Sequence, residues 1–125
     1  MVDSNCKVYE GGPAWDRLGE FLPGAISARG ASPESIGIID EFMREAGLVD
    51  IVVKDFKLPI GSWGGNGGEL FLKNVRLGHK TLAPLYASVF NTTIEEVDQL
   101  LQQGEEELKT HQPYMALRVY LGRKP

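Results

Sequence analysis

Apolar residues recur along this chain with two periods, about 3.6 and 2, in blocks separated by Pro and Gly. Over residues 14–29, following Gly11-Gly12-Pro13, the residues Trp15, Leu18, Phe21, Leu22 and Ala25 fall on one helical stripe, with Pro23 and Gly24 placed to bend or end it. A second helix is signalled by Ser32 as N-cap, Pro33 at the first helical position and Glu34 at the positive end of the helix dipole. Ile36, Ile39, Phe42, Met43 and Ala46 form its apolar face, and Gly47 is placed to end it in a left-handed conformation. Residues 48–58 change period: Val49, Ile51 and Val53 alternate with Asp50, Val52 and Lys54, a strand that Pro59 stops. The stretch PIGSWGGNGG, residues 59–68, holds five glycines and reads as a mobile loop with Trp63 at its tip.

Phe71, Val75, Leu82, Leu85, Tyr86 and Val89 restore a helical stripe over 69–90, but Gly78 and Pro84 interrupt it, which predicts two helices meeting near 78–81. Thr93 with Glu96 is a capping box, opening a helix to about Thr110 whose buried face is Val97, Leu100, Leu101 and Leu108. After Pro113, Met115, Leu117, Val119 and Leu121 alternate with Ala116, Arg118 and Tyr120, a closing strand over 114–121. The pattern predicts an α+β domain over residues 14–125, with about five helices and a pair of strands, preceded by a flexible segment 1–13.

With 125 residues and a formal charge of −4, the chain is one domain whose thin core makes every docking face matter. Lys and Arg are scattered rather than clustered, so DNA and RNA are not expected partners. No apolar run approaches the roughly 18 residues that span a bilayer, and Met1 to Gly12 lacks the features of a signal peptide. A cytoplasmic protein that does not enter membranes is the expectation. The single cysteine, Cys6, cannot form an internal disulfide, which fits a reducing compartment, and Asn91-Thr92-Thr93 serves as a helix cap rather than a glycosylation site.

Few residues point to chemistry. The spacing G-x-G-x-x-G of a dinucleotide turn is incomplete: Gly65 and Gly67 fit its first half, and Leu70 stands at its third position. His79 and His111, the only histidines, have no Cys or paired carboxylate at ligand spacing, so no metal site is expected. Either is a candidate general base, set against a solvated histidine beside a helix break or turn. Nothing near Cys6 would lower its pKa, and Glu105-Glu106-Glu107 reads as a solvated helix face. Trp63, Tyr86, Phe90, Tyr114 and Tyr120 are candidates to line a pocket for a flat organic substrate, or equally to pack a core.

Four segments carry a family resemblance: Phe42-Met43-Arg44-Glu45-Ala46-Gly47-Leu48-Val49-Asp50, Phe56-Lys57-Leu58-Pro59-Ile60-Gly61-Ser62-Trp63, Thr93-Ile94-Glu95-Glu96-Val97 and Val119-Tyr120-Leu121-Gly122-Arg123-Lys124-Pro125. Together they resemble the C-terminal part of fungal class I S-adenosylmethionine (SAM)-dependent methyltransferases of the LaeA-like, TAM-type family, found in secondary-metabolite gene clusters. Residues 69–84 match it poorly. The resemblance implies an α/β, Rossmann-like methyltransferase fold of which this chain supplies the last helix–strand units. Its two strands resemble the sixth and seventh, an antiparallel pair completing a sheet of five parallel strands, and the chain begins about where the fifth would finish. The Gly-rich turn and acidic residue that bind SAM lie upstream, so no cofactor-binding or catalytic residue carries over. The implied protein is a truncated pseudoenzyme with an unpaired strand edge, which predicts a homodimer or docking onto a full-length methyltransferase or a missing half. The alternatives are a subunit of a split active enzyme, a cofactor-independent cyclase using His79, His111 or Tyr86 for proton transfer, and a non-catalytic interaction module. The family also occurs in the nucleus, although no basic cluster here argues for import.

Overall fold

A computed structural model describes residues 7–125; Cys6 and its reading lie outside the described residues. The fold is mixed α+β, with four α-helices and a three-stranded antiparallel sheet in the order β1-β3-β2. In chain order the elements are β1 (Val8–Tyr9), α1 (Pro13–Ala28), α2 (Ile39–Glu45), β2 (Val49–Pro59), α3 (Gly65–Val89), α4 (Ile94–Glu107) and β3 (Tyr114–Arg123), with short 3-10 turns at Pro33–Ile38 and Ser62–Gly64.

The core forms where α1, α3 and α4 turn their apolar stripes toward one another. Trp15, Leu18, Phe21 and Ala25 of α1 pack with Ala83 and Tyr86 of α3, Val97 and Leu101 of α4, and Val8 and Ile60. A single indole fixes the α1–α4 crossing: Trp15 Nε1 donates to the Gly104 carbonyl at 2.9 Å. A Cβ at position 104 would stand 3.0 Å from the Trp15 ring, so the helices approach this closely because Gly104 has no side chain. The N-terminus of α1 is capped from the far end of α4, where the Glu107 carboxylate accepts from the Ala14 N–H at 2.9 Å and complements the helix dipole. This corrects the reading of Glu105-Glu106-Glu107 as a wholly solvated face: Glu107 turns toward α1, while Glu105 and Glu106 pair with Arg76 and Lys109.

The first helix spans what the pattern predicts and does not end at Pro23, and the break expected near 78–81 is absent. Helix α1 passes through Pro23 and Gly24, where Phe90 lies so close that a Cβ on Gly24 would sit 2.3 Å from its ring. Helix α3 is one element of 25 residues with Gly78 and Pro84 inside it. Gly costs a helix about 1 kcal/mol and Pro about 3 kcal/mol relative to Ala. Burial of His79, Ala83 and Tyr86 on the face of α3 offsets that cost, as tertiary packing generally decides helix formation.

The Gly-rich stretch is also not a mobile loop. It folds into a tight turn, and α3 begins at Gly65. Gly61 donates its N–H to the Gly68 carbonyl at 2.9 Å, and a Cβ on Gly68 would come within 2.1 Å of the Gly61 oxygen. Close packing of strand end against helix start therefore explains glycine here. Trp63 is tied down as well, its Nε1 donating to the Pro113 carbonyl at 3.1 Å.

The helix expected over 32–47 splits into the 3-10 turn and α2. Ser32 gives its hydroxyl to the Glu34 carboxylate instead of capping the backbone. Gly47 does take the left-handed conformation, φ +90°, and Leu48 returns its N–H to the Met43 carbonyl. No residue of α2 is buried, so its apolar stripe is not a core face. The capping signal before α4 is realised, with Thr93 Oγ1 accepting from the Glu96 N–H.

Strands β2 and β3 pair antiparallel in the register Val52↔Leu121 through Pro59↔Tyr114, with an irregularity between Val49 and Val52. At the other edge of β3, Val8 pairs with Met115 and Tyr9 with Tyr114. Val8 is buried, so part of the stretch read as a flexible segment 1–13 belongs to the sheet.

Candidate functional site

Because α3 is continuous, His79 and Tyr86 lie two turns apart on one face. A long side chain on a helix leans toward the N-terminus, which carries the Tyr86 hydroxyl back to His79. Its Oη stands 3.0 Å from His79 Nδ1. The ring of Tyr86 stacks on Phe21 at 5.0 Å between centroids. The pair lines a cavity of about 220 Å³ enclosed by Val8, Leu18, Leu22, Phe71, Val75 and Met115, with Gly78 and Asn74 also on its wall. Asn74 is exposed while His79 and Tyr86 are buried, so the cavity runs inward from Asn74 to the pair.

Burial pushes the His79 imidazole down to about 4 and the Tyr86 hydroxyl up to about 12. Both are therefore neutral near pH 7. A neutral imidazole has one donor and one acceptor, and a phenol has one donor and a lone-pair acceptor. After they share one bond, the pair keeps one donor and one acceptor, whichever tautomer His79 adopts.

The other sequence candidates lie elsewhere. His111 is exposed beyond α4, beside Thr110 Oγ1 at 2.9 Å. Phe90 meets Phe21 edge-on at 5.2 Å. Tyr114 stacks on Tyr9 at 5.4 Å, with the Lys57 ammonium over its ring. Tyr120 donates its hydroxyl to the Ile36 carbonyl, and Trp63 packs near His111 beside Leu108. Of the five aromatic residues proposed to share a pocket, only Tyr86 lines this cavity. Leu18, Leu22, Phe71, Val75, Leu82 and Met115 were visible as apolar positions of their own elements, but Val8 was not, and the convergence of the four elements on one cavity was not foreseen.

A second feature lies at the other end of the molecule. In an antiparallel ladder, directly opposed residues share a face. Val52 with Leu121, Lys54 with Val119, Phe56 with Leu117, and Leu58 with Met115 therefore form one apolar face of β2–β3. Met115 packs on the helical core, but Val52, Phe56, Leu117 and Leu121 remain 42–50% exposed. Among the described residues, nothing pairs with the β1 side of β3 from Ala116 onward.

The cavity does not fit SAM. That cofactor carries an ammonium, a carboxylate and a sulfonium, and the cavity wall has no Lys, Arg, Asp or Glu to meet them. Among the described residues no group of three or more His, Cys, Asp or Glu could hold a metal ion, and no helix is long and apolar enough to cross a membrane. Compared with protein-family models, curated proteins and solved structures, the chain finds no match.

Proposed function

We propose that this chain is a methyltransferase-like protein of fungal secondary metabolism that has no SAM site of its own and associates through its exposed strand pair. The observation that carries the reading is the sheet order β1-β3-β2, with β3 antiparallel to both neighbours. The resemblance implies an antiparallel pair joined to the end of a fifth strand. Here a two-residue strand at the start of the described chain occupies the edge where that strand's end belongs. The Rossmann-like character of the fold is part of the same proposal.

The occupant of the bare β2–β3 face is a second copy of the chain. The four opposed pairs carry one charge, Lys54, in a chain of net charge −4, so two copies meeting there bring no acidic side chains of these pairs together. Four half-exposed apolar side chains beside a strand edge that no described residue pairs form a template for association.

Sedimentation and calorimetry together test this. The purified chain is expected to sediment as a dimer at micromolar concentration and to give no saturable heat with SAM or its demethylated product. A monodisperse monomer removes the self-association, and saturable SAM binding removes the claim of a chain without its own cofactor site.

A further inference from the structure

The geometry points to the cavity between α1, α3 and β3 as a binding site for a compact, uncharged, mainly apolar molecule that presents one hydroxyl or carbonyl oxygen to the His79–Tyr86 pair. This deepens the reading above by giving the chain a ligand class. It does not depend on dimer formation, and binding by the chain is measured separately from its sedimentation.

Size sets the first limit. A volume of about 220 Å³ lies below the range of drug-sized pockets and takes about ten non-hydrogen atoms at protein-like packing. Charge sets the second. Leu18, Leu22, Phe71, Val75, Leu82 and Met115 offer an ion nothing in exchange for its water, so a carboxylate or ammonium would enter unpaired. The pair sets the third. His79 and Tyr86 satisfy each other once and keep one donor and one acceptor, the complement of a single hydroxyl or carbonyl group. An oxygen bonded there would be read by position, because apart from Asn74 at the mouth the surrounding side chains are hydrocarbon or thioether. A polar pair in a buried apolar cavity is costly unless its remaining capacity is used.

Gly78 gives the test its control. It lies on the cavity wall, and a Cβ built there meets nothing within 4 Å, so a side chain can start from this position into open space. Replacing a mid-helix glycine also favours the helix, which keeps the variant folded.

The probes are p-cresol, toluene and p-toluate, which share one ring and differ in carrying a hydroxyl, nothing or a carboxylate. Titrated into the full chain and followed by protein NMR shifts at His79, Tyr86 and their neighbours, p-cresol is expected to bind with a dissociation constant on the order of 1 mM. Toluene should bind about tenfold more weakly, the scale of one hydrogen bond, and p-toluate should not saturate. In a His79→Leu, Tyr86→Phe double variant, which removes both polar groups, the preference for p-cresol over toluene should shrink to near unity. In Gly78→Leu, all three probes should lose binding while the protein stays folded. If p-cresol does not saturate, if toluene and p-cresol bind the wild-type chain equally, or if folded Gly78→Leu binds as the wild type does, the assignment is wrong. Should the double variant fail to fold, the wild-type preference and Gly78→Leu still decide.

Discussion

The helical end and the strand end of this molecule use equally apolar residues and reach opposite states. Trp15, Leu18, Phe21 and Tyr86 have no exposed surface, whereas Val52, Phe56 and Leu121 are 45–50% exposed. Both sets fall at the spacing that puts apolar side chains on one side of an element. Periodicity tells which side of a helix or strand is apolar, but not whether the same chain supplies something to lie against it. Helices α1, α3 and α4 cover one another. The β2–β3 ladder meets the helical core at the Leu58–Met115 end, and runs on held by backbone pairing, by the Asp55–Arg118 and Asp50–Arg123 ion pairs, and on its other face by α2 and the turn before it, where Tyr120 reaches the Ile36 carbonyl.

The largest expected effect is at the helical end. Trp15→Ala removes a fully buried indole and leaves the buried Gly104 carbonyl without its donor. The loss should be about 4 kcal/mol, read as a fall in the urea midpoint. A loss below about 1 kcal/mol would mean that the α1–α4 crossing is not what holds this end together.

Acid should act on the same end. His79 is held down to about 4 by burial, while its unfolded imidazole titrates near 6.5. Between those values the unfolded chain binds more protons, so stability is fully present above pH 6.5 and is lost as pH falls toward 4. The difference is about 3 kcal/mol, and Tyr86, pushed up to about 12, is silent in this window. Stability measured from pH 7 to 4 should fall in the wild-type chain and stay nearly flat over that step in His79→Leu. Equal slopes would place the titration elsewhere.

Pro84 offers a smaller effect of opposite sign. It is exposed within α3, and Pro84→Ala restores one backbone donor. Allowing for the freedom the unfolded chain regains, stability should rise by about 2 kcal/mol in thermal unfolding. A decrease would mean that α3 needs a bend there.

These helices also show what the sequence discloses. The Thr93 cap, the left-handed Gly47 and the alternation in both strands are local signals, and each reappears in the structure. What was hidden depended on contacts distant in sequence. Glu107 caps Ala14 across 93 positions, and β1 has only two residues, too few to show a period. The His79–Tyr86 spacing of seven is itself a helical signal, but it counts only if the helix between them is unbroken. Gly78 argues locally against that continuity, and packing against α1 and α4 overrules it. The candidate site was thus legible as two residues and not as a pair.

The smallest effect on the folded chain should come from the strand end, and that smallness is the sharpest test of the contrast. Phe56 is 50% exposed and faces Leu117 across the ladder on the uncovered side. Phe56→Ser forgoes one cross-strand contact, which costs a monomer about 0.5 kcal/mol. It also places a hydroxyl in the middle of the surface assigned to a second copy, where an interface would have buried the ring. Stability measured at dilution should therefore scarcely change, while the dimer seen in sedimentation should weaken at least tenfold, since burying a Phe side chain is worth about 1.5–3 kcal/mol. A large loss of stability at dilution would mean that the ladder's apolar face already supports the fold unaided. An unchanged dimer would move the interface off this face, leaving its apolar residues without the occupant assigned to them.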